Sequence, residues 1–277
     1  MTKVSPLVLF LRTARARAAP RIWGMKREPS WVFLEVMVPI ISTTAFVYLY
    51  RSLHAPQAYV GFVILGAVIS AYWLNVVWAM AMQLHWEKKE GMLQLYVLSP
   101  APLMAVLVGM SYGGIIMASS RAIVTLAAGL LLFQVQLSTA ELPMVFLIFA
   151  VTLVALYGLG MTLSSLFIHW GREAWHLALA FHEPAFFLTG MNFPLSKLFS
   201  SVPGIIAFVS ALLPISFGLD AMRQLLLPSN IPGVFSPGTE LLILVGLGVM
   251  FLVLAYVALQ RLEYKARVEA TLSLRWQ

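Results

Sequence analysis

The chain has 277 residues, of which 61% are hydrophobic and 10% charged, against roughly 25% charge in soluble domains. A soluble chain this apolar would expose large patches and aggregate, so the composition describes a polytopic, all-α membrane protein. Cysteine is absent, which excludes disulfides, thiolate metal sites and cysteine nucleophiles, and where the charges lie must decide what the net charge of +7 serves.

Residues 1–30 hold Lys3, Arg12, Arg15, Arg17, Arg21, Lys26 and Arg27, interleaved with Leu7, Leu11, Ile22 and Trp23. The apolar run 7–11 precedes the basic cluster, the reverse of a secretory signal. The segment reads as a basic amphipathic helix in the headgroup layer, where anionic lipid accounts for its charge. No nucleic-acid partner is expected, because a span follows directly.

The transmembrane domain then covers 31–262. Spans are expected at about 31–53, 59–84, 103–133, 143–168, 174–190 and 239–260. The first, beginning at Trp31, has Glu35 and Arg51 near its ends and Pro39 as a kink. The second is rich in aromatic residues, among them Tyr72, Trp73 and Trp78. The third exceeds the ~20 residues a bilayer core requires, and Gly113-Gly114 is a candidate bend. The fourth ends in Gly158, Gly160, Ser164 and Ser165, small residues that let helices approach closely. His169–Arg172 is a short turn. The fifth is interrupted at His182-Glu183-Pro184.

From 191 to 228 the apolar pieces are too short for simple crossings. Pro194, Pro203, Gly204, Pro214 and Pro228 divide them, and they read as an outward re-entrant pair of half-helices, 198–213 and 215–227. A loop around Pro232 precedes the last span, and 263–277 is a cytoplasmic tail carrying Glu269 and Arg275. With six crossings and both termini inside, fourteen Lys and Arg lie on the cytoplasmic side and three at the outer edge. This is the positive-inside bias.

The second span leads into 86–98, a compact charge cluster followed by apolar residues: Glu87, Lys88, Lys89 and Glu90, then Leu93, Leu95, Val97 and Leu98. It is expected as one short surface helix, stopped by Pro100 and Pro102. The stretch 90–100 resembles the "E-x-G-T-hydrophobic-E-x-L-x-x-(S/T)-P" signature of type-2 ABC exporter permeases. Glu90, Gly91, Leu95, Ser99 and Pro100 match it, whereas Met92 replaces a Thr and Gln94 a Glu. In that family the segment, here with Glu87, is the coupling helix that docks on a cytoplasmic ATPase.

Two later stretches resemble the same family. Residues 187–194 are similar to its "S-G-x-x-F-P" motif through Gly190, Phe193 and Pro194. Residues 210–223 are similar to "L-P-(hydrophobic)-(T/S)-x-x-x-(D/E)-x-x-R" through Pro214, Asp220 and Arg223. The three motifs occur in family order, and with the six-span plan the resemblance covers about 20–262. It implies re-entrant helices that close the exit, a second permease copy as homodimer partner, a location in the plasma (inner) membrane, and ATP and Mg held only by the ATPase subunit.

Ionisable groups inside apolar segments are costly and need partners or water. Asp220 and Arg223, at i and i+3, are expected as an ion pair. Arg121 and Glu183 are a second candidate pair, with Glu183 or His182 lining a path as the alternative. Trp31, Trp73, Trp78, Phe181, Phe186 and Phe187 can wall an apolar cavity or pack helices. No phosphate loop is present, and His182-Glu183 lacks the second His of a zinc protease. The expected function is therefore an exporter permease for small amphipathic or lipid-like compounds, drugs and antibiotics included. A polysaccharide or glycolipid exporter subunit and a stand-alone secondary transporter or channel are the alternatives. The chain itself is not expected to be an enzyme or to bind a cofactor.

Overall fold

The computed structural model describes residues 5–27, 29–168, 170, 173–227 and 233–269. Lys3, His169, Gly171, Arg172, Pro228, Pro232 and Arg275 lie outside the described residues, as do the side chains of Lys26, Arg27, Trp31, Glu35 and Glu269. Every element among the described residues is helical.

The chain runs α1 (Pro6–Arg27), α2 (Pro29–Ser52) and α3 (Ala58–Val76), then through a π-helical turn (Val77–Ala81) into α4 (Gln83–Lys89) and α5 (Met92–Leu98). It continues as α6 (Leu103–Phe133), α7 (Leu142–Phe167), α8 (Ala174–Leu188), α9 (Leu195–Ser201), α10 (Gly204–Ala211), α11 (Pro214–Leu226) and α12 (Pro237–Glu269).

Four helical stretches are long and apolar enough to cross a membrane: Ala58–Lys89, Leu103–Phe133, Leu142–Phe167 and Pro237–Val268. A fifth is available if α10 and α11, bent by 82° at their junction, count as one broken span. The first of the four is the central post, since most of its apolar stretch is buried inside the protein. Backbones approach one another at small residues. A Cβ at Gly158 would touch Phe251 of α12, and one at Gly160 would touch Val76 and Met80. Ser164 and Ser165 beside them are buried.

Several expectations are corrected. Gly113-Gly114 does not bend α6, which is one helix of 31 residues. Its glycines receive α1 instead: a Cβ at Gly109 would overlap the Ala14 carbonyl, and one at Gly113 would press on Ala18. The N-terminal segment is a single helix, packed along α6. Pro184 does not end the fifth helix, which runs to Leu188. With 15 residues, α8 spans about 22 Å, short of the ~30 Å hydrocarbon core. The expected re-entrant pair is three helices, because Val202 is extended and Pro203 precedes the start of α10. The last helix continues into the expected tail as far as Glu269.

Candidate functional site

The stretch expected as one helix over 86–98 is broken. The helix of the second span continues through Trp86 to Lys89, and Gly91 then takes the left-handed conformation (φ +76°) before α5 begins. Left-handed backbone stops a helix and favours glycine. Nothing lies within 4 Å of where a Cβ at Gly91 would sit, so the turn, not crowding, requires the glycine. At the far end of α5, Ser99 is extended before Pro100, and its hydroxyl accepts the Ala101 amide at 3.1 Å.

Behind this break lies a polar cluster that joins three helices. On α1, Arg17 and Arg21 stand at i and i+4 and share a face. On α4, Gln83 and Glu87 do the same, and the two pairs meet in antiparallel register. Arg17 is ion-paired to Glu87, and Arg21 donates to Gln83 Oε1 at 2.9 Å. Gln83 Nε2 donates to Glu87 Oε1 at 2.8 Å, and Tyr96 Oη of α5 donates to Glu87 Oε2 at 2.7 Å. The Arg17 guanidinium also lies over the Tyr96 ring, 5.1 Å from its centroid.

The π-helical turn sets this register. One extra residue in a turn rotates every later side chain by about 100°. Arg21 donates to the Ala79 carbonyl inside the turn. Burial lowers the Arg21 guanidinium to about 10; the Arg17 charge adds to the fall, while Tyr157 and Glu87 oppose it. Burial and the hydrogen bond to Glu87 raise the Tyr96 phenol above its ordinary value. Further in, Tyr157 Oη donates to Asn75 Oδ1 at 2.9 Å.

The outer side of α4 and α5 contrasts with this. Leu93 is buried, but Leu95 is 59% and Leu98 82% exposed, and Trp86 and Met92 are exposed beside them. Lys89 and Glu90 are exposed on the same stretch. Lys89 Nζ sits 5.3 Å from the Trp86 ring centroid.

The second candidate group gathers at the opposite end of the stretch Ala58–Lys89, near the start of α3. Gly190 turns the chain after α8 with φ +65°, and Pro194 and Pro214 lead into α9 and α11. Arg223 lies 1% exposed between them. Its Nη1 donates to the carbonyls of Gly190 (2.6 Å) and Phe193 (3.3 Å), and its Nη2 to those of Phe62 (2.6 Å) and Met191 (2.5 Å). The Phe62 ring lies 4.5 Å below the guanidinium.

The expected Asp220–Arg223 ion pair does not form among the described residues. The guanidinium fork is taken by carbonyls, and Asp220 Oδ2 accepts the Val234 amide at 2.8 Å. Glu240, fully buried, accepts the Phe235 amide at 3.1 Å.

Arg121 and Glu183 are not brought together either. Arg121 is buried and lines a cavity of about 400 Å³ with Asn75, Trp78 and Met117. Glu183 is exposed on α8 and lines a different cavity, with Phe186 and Phe187. His182 points into packing, with Phe186 at 5.1 Å and Trp78 at 5.9 Å between ring centroids. Trp73 is fully buried, and Phe181 packs on Phe167.

Sequence reasoning treated Arg17 and Arg21 only as part of a basic arm and passed over Gln83, Tyr96 and Glu240. The matched i, i+4 spacing of Arg17/Arg21 and Gln83/Glu87 was the available signal. Among the described residues no group of His, Asp or Glu is arranged to hold a metal ion. No protein-family model matches the chain, and no curated protein matches it.

Proposed function

We propose that this chain is the membrane-spanning permease subunit of an ATP-driven exporter, and that a separate cytoplasmic ATPase docks on α5. The observation that carries this reading is the two-sidedness of α5. Its outer face offers Met92, Leu95 and Leu98 next to Lys89 and Glu90, a mixture suited to a protein groove rather than to hydrocarbon. Its inner face is tied through Tyr96 to Glu87 and Arg17. A push on the exposed face is therefore passed to α1, α4 and, through the continuous helix Ala58–Lys89, to the middle of the bundle.

The full assembly is two permease copies and two ATPases, with ATP and Mg held by the ATPases. This chain crosses the inner membrane six times with both ends cytoplasmic. The fifth passage is made by α8 together with the backbone turn at 189–194. Closure of the ATPases moves α5, and the two permeases alternate between inward and outward arrangements. The cargo is a small amphipathic compound, in keeping with cavities of modest volume in the membrane-crossing region.

The absence of cysteine makes the test direct. Leu98→Cys should be labelled by a membrane-impermeant maleimide only from the cytoplasm, and Lys197→Cys only from the opposite side. In native membranes a cross-linker at position 98 should capture a subunit that carries a phosphate loop. Labelling of position 98 from outside, or transport by the purified chain on an ion gradient alone, would overturn the proposal. Gly91→Ala places a Cβ in left-handed backbone, which costs about 1–2 kcal/mol. It should uncouple ATP hydrolysis from transport while membrane insertion persists.

A further inference from the structure

The cavity beside Glu183 has a chemistry of its own. It has a volume of about 240 Å³ and lies between α2, α3 and α8. Phe46, Phe186 and Phe187 supply aromatic walls, and Ser42, Thr43 and Glu183 supply polar groups. Thr43 is 5% exposed, and its hydroxyl makes no hydrogen bond among the described residues. An unmade hydrogen bond is costly to bury, and this hydroxyl is enclosed just behind the cavity wall. Glu183 lies nine residues into α8, about 14 Å along it. Among the described residues no cationic side chain is within ion-pair distance of it. On the six-crossing reading this exposed carboxylate lies within the membrane, where a charge is expensive unless something brings a positive charge to it.

We propose that this cavity binds the head of an organic cation, an alkylammonium or similar onium group. The negative faces of the phenylalanine rings attract a cation that has shed water, and bulky oniums of low charge density shed it most easily. Glu183 supplies the full countercharge, and Ser42 supplies a hydroxyl oxygen. The apolar remainder of such a molecule lies along the aromatic wall. This rests on the exporter reading above and names its cargo class as cationic amphiphiles. The head could belong to a soluble compound or to a choline lipid, since both present the same group.

The test uses the full-length chain in lipid nanodiscs and needs no ATPase. Binding of benzyltrimethylammonium is measured by calorimetry and compared with phenylmethanesulfonate, which has a similar shape and the opposite charge. The cation should bind and the sulfonate should not, and Glu183→Gln should weaken the cation at least tenfold. Phe187→Ala, at a side chain 69% exposed, leaves the core intact and should weaken it several-fold. Discs of phosphatidylglycerol alone, against discs containing phosphatidylcholine, separate the two sources. Competition by the choline lipid points to lipid cargo, and unchanged affinity points to a soluble one. Cation binding by Glu183→Gln within twofold of wild type, or equal binding of the sulfonate, would overturn the assignment. Failure of ATPase capture at Leu98→Cys leaves this measurement untouched, so the two readings fall separately.

Discussion

The two ends of the helical stretch Ala58–Lys89 hold charge in opposite ways. Near its start, Arg223 gives both of its Nη atoms to four backbone carbonyls, three of them in the turn after α8. At the far end, Arg17 and Arg21 meet side chains, Glu87 and Gln83, on another helix. Phe62 and Glu87 mark the two places, 25 residues apart along nearly continuous helix, or about 38 Å. Backbone carbonyls are fixed by the fold, so a guanidinium that binds four of them locks a shape. Side-chain partners can exchange, so the α1–α4–α5 cluster can hold the same helices in more than one arrangement. One end suits a fixed closure and the other a moving part.

The largest effect should come from Arg223→Met. It leaves four carbonyls without their donor in a fully packed site, at about 4 kcal/mol or more. Denaturant titration in mixed micelles should show the loss. Arg223→Lys should recover only part of it, because an ammonium cannot span the same carbonyls as a planar fork. Recovery in full by lysine would remove the argument from geometry.

A smaller loss is expected at the other end, where Glu87→Ala and Arg17→Ala should each cost about 2–3 kcal/mol. Arg17 is partly exposed and can find water, so the double variant should be less destabilised than the sum, with a coupling of about 1–2 kcal/mol. Additive losses in the same titration would show that the two residues stabilise their helices independently. All three variants should insert and remain folded, with midpoints above that of Arg223→Met.

The smallest effect belongs to Tyr96→Phe, which deletes one hydrogen bond from a half-buried phenol to a carboxylate, about 1.5 kcal/mol at neutral pH. The folded-state phenol is raised above its unfolded value near 10. Its stabilisation is therefore complete below pH 10 and is lost as pH climbs toward the folded value. The gap between wild type and Tyr96→Phe should narrow above pH 10. A constant gap through that range would show that the hydroxyl is not what holds α5 in place.

Much of the fold could be read from residue order. Long apolar runs gave two of the four spanning stretches nearly to the residue and the starts of the other two within two residues, and proline marked where α9, α10 and α11 start. The ionisable residues were harder, because spacing along one helix says nothing of what lies across from it. Asp220 and Arg223 have ideal i, i+3 spacing, yet each found backbone partners nearer to its reach. Arg17 looked like one more basic residue in an arm of like charges, and only the meeting of α1 with α4 showed its role. Glu87 lay within the recognised stretch, but its burial was invisible there.

Composition and hydropathy alone pointed to helices long and apolar enough to cross a bilayer, because a helix satisfies its own backbone hydrogen bonds while it presents apolar side chains all round. The break at Gly91 was not read in advance: a glycine permits left-handed backbone, but only the structure showed that this one adopts it. Tertiary structure decided which charges meet and where cavities open. Those outcomes depend on helix rotation, and a single π-helical turn at Val77–Ala81 shifts rotation by about 100° without any comparable mark in the pattern of apolar residues.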